Sequence, residues 1–238
     1  MQYIPWPLPQ NFKQPNVDAL PEGALHRLAR YLELLLTANR IHNLTAITDA
    51  ETAWNRHILE SLALTPALQS VQSLLDLGSG GGLPGIPLAI ALPHLRVTLL
   101  EATGKKARFL QETCEALGLN QVFLCAQRAE LEGRNPASRE QYDAVTCRAV
   151  GSLAEIIELS MPLLKVGGRL LAVKGRRADE EISSAKNAFQ LLGCSLLSRT
   201  SLLPDDPDND SVLLILIKKR PTTSRFPRTP GTPKKAPL

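Results

Sequence analysis

The fold of this 238-residue chain is decided by the stretch Leu74-Leu75-Asp76-Leu77-Gly78-Ser79-Gly80-Gly81-Gly82-Leu83-Pro84-Gly85. An apolar strand runs into a glycine cluster and leads directly into a helix that begins near Pro84, where an early proline is tolerated. Glycines allow the backbone to approach a ligand closely and leave N–H groups of the helix start facing it. Gly80-x-Gly82-x-x-Gly85 matches the dinucleotide fingerprint, but this short pattern is weak evidence alone. The loop is not a Walker A loop, because no Gly-Lys-Ser/Thr follows.

Outward from this loop, short apolar strands alternate with amphipathic helices. Strands are predicted at 71–77, 96–101, 122–125, 142–148, 169–174, 195–200 and 212–218, and helices at 84–91, 105–117, 152–164 and 178–192. This alternation predicts an α/β fold with a mostly parallel seven-stranded sheet, covered by helices on both faces. The loop 204–211 is too short for a parallel crossover, so the last two strands are predicted to form an antiparallel edge hairpin.

Four segments are predicted: an irregular proline-rich start at 1–21, a helical extension at 22–69, the sheet domain at 70–218 and a disordered basic tail at 219–238. In the extension, leucines 25, 28, 32, 35 and 36 form one face of a helix that ends near Asn39. A second helix begins at the capping-box pattern Thr48-Asp49-Ala50-Glu51. Its predicted buried edge contains Trp54, Ile58 and Leu62, which leaves Arg56 and His57 off that face.

The net charge of +4 comes from the tail. Residues 219–238 carry six basic residues and no acidic ones, and the remainder of the chain has 21 basic and 23 acidic residues, a balance of −2. With five prolines and few apolar side chains, the tail is predicted to be disordered. Two interpretations stay open: a solvated tail without a role, or an electrostatic arm for a polyanion.

Composition excludes several classes of protein. No apolar run approaches the roughly 20 residues that cross a bilayer. The start of the chain has no basic and apolar leader, so we expect no secretion, no membrane association and a cytoplasmic location. The four cysteines lie far apart, which argues against a zinc cluster or a disulfide framework, and no metal site is predicted.

Two acidic residues favour S-adenosylmethionine over a nicotinamide dinucleotide as the ligand of the glycine loop. Asp76 places a carboxylate beside the loop, where a cationic amino-acid moiety can lie and a pyrophosphate would be repelled. Glu101 ends the second predicted strand, where an acid can accept hydrogen bonds from ribose hydroxyls. A dinucleotide-dependent oxidoreductase and a ligand-free structural turn remain alternatives, and Glu101 alone is also consistent with an acid at a helix start.

The sequence also resembles the RsmG (GidB) family. The resemblance rests on the glycine-loop segment DLGSGGGLPGIPLA, on NRIHNLTAI at 39–47, RHILESL at 56–62 and GKKARFL at 104–110, and on CRAV at 147–150 and LLAVKG at 170–175. It extends from about residue 22 to about residue 218 and leaves out the two ends of the chain. It implies a class I, Rossmann-like methyltransferase that transfers a methyl group from S-adenosylmethionine to N7 of a guanine in 16S ribosomal RNA.

The resemblance also implies the cofactor-binding positions. Gly78 and Leu83 match cofactor positions of the glycine loop, and Asp76 and Gly80 lie beside them. The run Glu101-Ala102-Thr103 would border the ribose, and Ala129-Glu130 would flank the adenine, although AQRAE replaces the Ser or Asn that relatives often have before the Arg. Arg148 matches an arginine at the cofactor pocket, whereas without the resemblance it would be interpreted as a surface ion-pair residue.

Candidates for RNA binding are polar and basic side chains near the same predicted edge. They are Asn39, Arg40, His42, Asn43, Lys105, Lys106, Arg108, Lys174, Arg176 and Arg177. Helix capping by the two asparagines and a solvated face for the cations are the alternatives. His57 and His94 are predicted to be structural or surface residues.

Because N7 of a guanine, the atom that the resemblance implies, carries a free lone pair, no general base is required. The glycine loop agrees with this, since no pair of carboxylates and no His/Asp or Cys/His pair lies beside it, and Arg148 and Lys105 are candidates for positioning the reactants. The expected partner is small-subunit ribosomal RNA, free or in an assembling subunit, and the protein is expected to be a monomer. A catalytically inactive RNA-binding module remains a further alternative.

Overall fold

The computed structural model describes residues 20–238. Its strands are β1 (Ser73–Leu77), β2 (Arg96–Leu100), β3 (Val122–Cys125), β4 (Tyr142–Arg148), β5 (Leu164–Lys174), β6 (Cys194–Ser201) and β7 (Val212–Lys218). They form one sheet in the order β3-β2-β1-β4-β5-β7-β6. Strands β1 to β5 are parallel, and β7 is antiparallel to both β5 and β6. The predicted fold class and the antiparallel edge hairpin are thus confirmed.

The α-helices are α1 (Ala24–His42), α2 (Ala50–Ala53), α3 (Glu60–Leu62), α4 (Gly85–Ala91), α5 (Gly104–Ala116), α6 (Ala129–Glu132), α7 (Leu153–Ser160), α8 (Ala178–Ser184), α9 (Lys186–Leu192) and α10 (Thr232–Lys235). A π-helix, Trp54–Leu59, joins α2 to α3, and a short 3₁₀ helix, Thr65–Leu68, follows.

Strand β1 lies at the centre of the parallel region, with Leu75 opposite Thr98 of β2 and Val145 of β4. Both faces of β1 are covered, and this explains its nearly continuous apolar sequence. Because β1 to β5 run in the same direction, their carboxyl ends meet at one edge of the sheet. We call this the carboxyl edge; the glycine loop and the ends of β2 and β4 lie along it.

Two apolar cores cover the two faces of the sheet. The first combines α1, the π-helix, α4 and α5, with fully buried side chains such as Leu28, Leu32 and Leu35 from α1. The helical extension therefore packs directly on the sheet domain and shares its core. The second core combines α7, α8 and α9 with the inner faces of β4, β5 and β7.

His57 was predicted to lie off the buried face of its helix, but the π-helix buries it. The N–H of Glu60 bonds to the carbonyl of Asn55, five residues earlier, instead of four as in an α-helix. The wider turn rotates His57 toward the sheet, and its side chain is 5% exposed. Trp54 and Ile58 are buried as predicted.

The prediction of a disordered tail is wrong, because residues 219–238 are ordered and packed against α6 and α7. Phe226 is 3% exposed and belongs to the second core. The Arg228 guanidinium pairs with the fully buried carboxylate of Glu158, with nitrogen–oxygen distances of 2.6 to 3.0 Å. Composition predicted disorder because the tail itself is basic and rich in proline. It could not reveal the acidic partners, which lie about 70 to 100 residues earlier in the chain.

Element boundaries differ from the prediction in two further places. Strand β5 begins five residues early, and a β-bulge lets it continue through Gly167, whose φ is 84°. The predicted helix at 178–192 is interrupted at Ala185. Just before this break, Ser183 and Ser184 donate hydrogen bonds to the carbonyls of Asp179 and Glu180, a contact that tends to bend helices.

The predicted irregular start falls outside the described residues, apart from residues 20 and 21. Across residues 20–238, no helix has the length and apolar character needed to span a bilayer.

The packing of the tail predicts that Phe226→Ala lowers the free energy of unfolding by about 3–5 kcal/mol, because truncation of a buried Phe leaves a cavity. Urea denaturation of the wild type and the variant measures this difference. Leu197→Ala on β6, where the side chain is 56% exposed, is the control and is expected to change stability by less than about 0.5 kcal/mol. Equal stability of Phe226→Ala and the wild type would show that the tail is not packed.

Candidate functional site

The glycine loop between β1 and α4 depends on backbone conformations that glycine alone adopts readily. Gly78, Gly80 and Gly82 have φ values of 71°, 56° and 97°. A Cβ atom on Gly78 would lie 2.9 Å from the Cγ2 atom of Val150, just after β4. The loop and the end of β4 therefore form one continuous surface at the carboxyl edge.

Asp76 lies inside this turn. Its side chain is fully buried, and one carboxylate oxygen accepts a hydrogen bond from the N–H of Gly85 at 3.1 Å, while the other oxygen has no hydrogen-bond partner. The pKa of the Asp76 carboxyl is raised to about 7, chiefly by burial and to a smaller extent by the nearby charge of Glu101, while hydrogen bonds from Ser79 and Gly85 oppose the rise. Asp76 fixes the start of α4 through one carboxylate oxygen, and its other oxygen is a buried acceptor without a partner.

Glu101 connects the end of β2 to the glycine loop. Its carboxylate accepts hydrogen bonds from the N–H of Gly80 at 3.0 Å and from the N–H of Thr103 at 2.7 Å. Through Thr103, which precedes α5, this acid also contacts the segment that leads into the helix. A carboxylate has about four acceptor positions, so Glu101 can still accept hydrogen bonds from a ligand. The neighbouring Ala102 and Thr103 are exposed, and Leu83 is half-buried.

Ala129 and Glu130 form the first turn of α6, just after β3. Glu130 is 8% exposed, and its carboxylate accepts a hydrogen bond from the N–H of Gly231 in the tail at 2.7 Å. The position therefore lies at the carboxyl edge, as predicted, but the tail covers part of its side chain.

Arg148 ends β4 and lies in a buried polar network. Its Nη2 atom is 3.3 Å from a carboxylate oxygen of Glu60 and 3.4 Å from Nδ1 of His57. The other ring nitrogen of His57 is 2.8 Å from the hydroxyl of Thr45. The Nη1 atom of Arg148 is buried and has no hydrogen-bond partner. The next residue, Ala149, has a φ of 53°, a strained conformation for a residue other than glycine and one that is common at functional sites.

Glu60 is the centre of this network, with a side chain that is 2% exposed. Besides Arg148, its carboxylate contacts Arg56 at 3.2 Å, the Asn209 amide at 2.8 Å and the Ser211 hydroxyl at 3.1 Å. Sequence reasoning missed Glu60, His57 and Asn209. The spacing of Arg56 and Glu60 by one helical turn was the one local signal, since the other partners lie far away in the chain.

A cavity of about 320 Å³ opens beside Arg148, between the ends of β4 and β5. Its lining includes the side chains of Arg56, Glu60, Arg148 and Lys174 and the backbone around Gly151. Because Val150 belongs both to this lining and to the surface over Gly78, the cavity lies next to the glycine loop.

The candidates for RNA binding separate into two groups. Two make internal contacts: Lys174 is 9% exposed, with its ammonium 2.7 Å from Glu181, and the Asn39 side chain accepts hydrogen bonds from the N–H groups of Leu44 and Thr45, as the capping alternative describes. The other candidates keep accessible side chains; these are Arg40, His42, Asn43, Lys105, Lys106, Arg108, Arg176 and Arg177. Arg176 is among them although it pairs with Asp210.

The turn that follows α1 lies against the glycine loop, since Leu44 would contact a Cβ on Gly81 at 3.6 Å and the Tyr31 hydroxyl donates a hydrogen bond to the carbonyl of Gly81. Arg40 and Asn43, at the end of α1, and Lys105 and Lys106, at the start of α5, therefore lie near the same edge of the sheet.

Comparisons with known proteins agree with this geometry. Residues 24–207 match the family model for rRNA small subunit methyltransferase G. The chain is 45% identical to ribosomal RNA small subunit methyltransferase G of Chloroflexus aggregans, covering 92% of both chains, and 37% identical to that of Leuconostoc citreum, covering 92% of this chain and 93% of the relative. An O-methyltransferase structure from Bacillus cereus in complex with SAH is similar in fold, with a TM-score of 0.58, 21% identity and coverage of 79% of this chain and 91% of that one.

The polar network predicts how stability depends on pH. Burial, and secondly the charge of Arg148, lower the pKa of His57 from 6.5 to about 4. Between these values the unfolded chain binds a proton that the folded protein excludes, so His57 makes stability fall as the pH decreases from 6.5 to 4. Between about pH 7 and about pH 5, this residue is expected to remove about 2 kcal/mol of stability.

In His57→Gln this loss is expected to be absent, which urea denaturation at the two pH values measures. His94→Gln replaces an exposed histidine and is expected to keep the pH dependence of the wild type. The prediction is wrong if His57→Gln and His94→Gln lose the same stability over this interval.

Proposed function

The chain belongs to the rRNA small subunit methyltransferase G family, and we propose that it transfers the methyl group of S-adenosylmethionine to N7 of a guanine in 16S ribosomal RNA. The family assignment supports an S-adenosylmethionine-dependent methyltransferase acting on RNA of the small ribosomal subunit. The guanine, its N7 atom and the residues that bind the two substrates form the finer part of the proposal.

The observation that carries the proposal is the buried, unpartnered Nη1 atom of Arg148. A buried donor without an acceptor costs about 1–3 kcal/mol, so such groups usually have a partner in the functional state. Arg148 ends β4, and Val150, two residues later, lies against Gly78 of the glycine loop. A ligand oxygen beside the Nη1 atom would complete the hydrogen bonding of this atom, and the carboxylate of the cofactor's amino-acid moiety is an acceptor of this kind.

The remaining cofactor contacts follow from the positions along the carboxyl edge. Gly78, Gly80 and Leu83 would form the wall of the glycine loop, and Glu101, with Ala102 and Thr103, would border the ribose. Ala129 and Glu130 would flank the adenine. Asp76 would act through the loop, by holding the start of α4. When bound, S-adenosylmethionine supplies a methyl group activated by a positively charged sulfonium.

Methyl transfer to N7 requires no general base, because N7 of a neutral guanine carries a free lone pair and no proton leaves. The protein therefore has to align the reacting atoms, a contribution worth about 7–11 kcal/mol in well-oriented reactions. We assign this positioning to Arg148, and we place the guanine in the adjacent cavity. The carboxylate of Glu60 contacts both Arg148 and Arg56, and Glu181 contacts Lys174. A carboxylate therefore lies beside each cation that lines the cavity of the ring that becomes cationic.

The RNA would approach the carboxyl edge over Arg40, Asn43, Lys105, Lys106 and Arg108. Their accessible side chains would flank the glycine loop and contact phosphates, and Arg176 would lie at the far end of the same edge. Lys105 would hold the RNA near the cofactor. We further propose that the protein acts in the cytoplasm as a monomer, on ribosomal RNA or on an assembling subunit.

Glu101→Ala is expected to weaken the binding of S-adenosylhomocysteine by roughly 10- to 150-fold, because hydrogen bonds to a charged group contribute about 1.5–3 kcal/mol. Titration calorimetry measures the affinity, and circular dichroism checks the fold. Glu112→Ala, an exposed acid on α5, is the matched control and should bind like the wild type. Unchanged affinity in a folded Glu101→Ala variant would remove Glu101 from the cofactor site.

Methylation itself is tested by single-turnover transfer from labelled S-adenosylmethionine to small-subunit ribosomal RNA, with the product identified by mass spectrometry. We expect 7-methylguanine, and a rate at saturating substrates that is nearly constant between about pH 6 and about pH 9. His57→Gln should lose less than about tenfold in this rate, under 1.4 kcal/mol of barrier.

A steep single-proton rise of the rate with pH, absent in His57→Gln, would show that a base exists and that N7 is the wrong atom. Cofactor binding without methyl transfer to free RNA or to small-subunit particles would favour the inactive RNA-binding module. Binding of a nicotinamide dinucleotide instead of S-adenosylhomocysteine would favour the oxidoreductase.

A further inference from the structure

Residues 226–238, which we call the strap, cross α7 and reach α6. Phe226 anchors the beginning of the strap in the second core, and Arg228 fixes it to the buried Glu158 on α7. The strap then turns at Gly231 and continues into α10. Its last residues, Pro237 and Leu238, line one cavity with Gly151 and Ser152, which follow β4, so the strap ends at the carboxyl edge.

The strap holds α6 at both ends. At the start of the helix, the N–H of Gly231 donates to the carboxylate of Glu130 at 2.7 Å. At the end, Pro227 packs so closely on Gly133 that a Cβ there would lie 3.0 Å from the proline ring. The guanidinium of Arg139 joins the two segments, since its Nη1 atom donates to the carbonyls of Gly133 and Phe226 at 2.7 and 3.0 Å.

A helix as short as α6 has little stability of its own. It contains four residues, whereas isolated helices shorter than about 12 residues are marginal even with favourable sequences. Leu131 on this helix is 45% exposed, so burial of its largest apolar side chain contributes little. The position of α6 therefore depends on contacts with its surroundings, and the strap provides contacts at both of its ends.

We propose that the strap is a positioning segment of the cofactor site, and that it fixes the α6 backbone against which the adenine binds. This inference rests on the proposed function, in which Ala129 and Glu130 flank the adenine. The strap acts through α6 and touches no reacting atom. Because coupling between two binding equilibria is reciprocal, cofactor binding must also stabilise the docked strap, by the factor by which the strap strengthens cofactor binding.

The test compares the full chain with a variant that ends at Thr229. This variant keeps Phe226, Arg228 and the Arg139 contacts but loses Gly231 and α10. Its dissociation constant for S-adenosylhomocysteine, measured by calorimetry, is expected to rise by about 5- to 150-fold, the usual range of such coupling. The KM for S-adenosylmethionine should rise similarly, with kcat within about twofold of the wild type, because uniform binding is lost and the chemical step is not.

The full-length variant K234A/K235A is the matched control, since it keeps the strap and removes the two exposed charges of α10 that truncation also removes. It is expected to bind S-adenosylhomocysteine like the wild type. In the wild type, saturating S-adenosylhomocysteine should slow amide hydrogen exchange in residues 226–238, and exchange in β6, on the far edge of the sheet, should stay the same.

Three results would overturn the inference: a folded truncated variant that binds within twofold of the wild type, K234A/K235A that alone reproduces the loss, or strap exchange that S-adenosylhomocysteine does not slow. The exchange measurement uses the intact chain and decides the question even if the truncated variant does not fold. Failure of the wild-type protein to bind S-adenosylhomocysteine would overturn the proposed function together with the inference. A wild type that binds, combined with one of the three results above, would overturn the inference about the strap alone.

Discussion

The geometry of the carboxyl edge depends on the buried carboxylate of Glu60. It is held by Arg56 in the π-helix, by Arg148 at the end of β4 and by Asn209 and Ser211 in the loop between β6 and β7. A desolvated carboxylate is stable only while such partners remain, and breaking a buried pair costs about 3–5 kcal/mol. One charge thus fixes three distant segments of the chain relative to each other. The unpaired Nη1 atom of Arg148 is aimed by the same contact.

The sheet could be predicted because each of its strands is a short apolar run between glycines, prolines and polar turns. The bounds of β3, β4 and β7 were predicted to the residue. The π-helix could not be predicted, because its sequence has ordinary helix formers and the wider turn depends on the contacts of His57 with Thr45 and Arg148. The order of the tail could not be predicted either, since composition records the cations but not the buried Glu158 that Arg228 meets.

The sequence predicted at which edge of the sheet the site residues lie, but it did not predict the directions of most of their side chains. Strand ends locate Gly78, Glu101 and Arg148 at one edge, because all parallel strands of a sheet end on the same side. The direction of a side chain depends on partners that a local pattern does not contain. Asp76 points into the turn toward Gly85, and Lys174 points toward Glu181. The resemblance supplied the chemistry of the site, and the structure supplied the contacts that hold it.

The π-helix makes this site sensitive to the number of residues in the segment as well as to their identity. A turn closed over five residues contains one residue more than an α-helical turn. Removal of any single residue between Trp54 and Leu59 would let the segment return to the α-helical spacing. After deletion of Ile58 or Leu59, Arg56 would lie three residues from Glu60 and would stay on its side of the helix. His57 would lie two residues from Glu60, and residues two apart do not share a face. The ring of His57 would therefore leave its place between Thr45 and Arg148, so the length of this segment, as well as its composition, decides which side chain meets the end of β4.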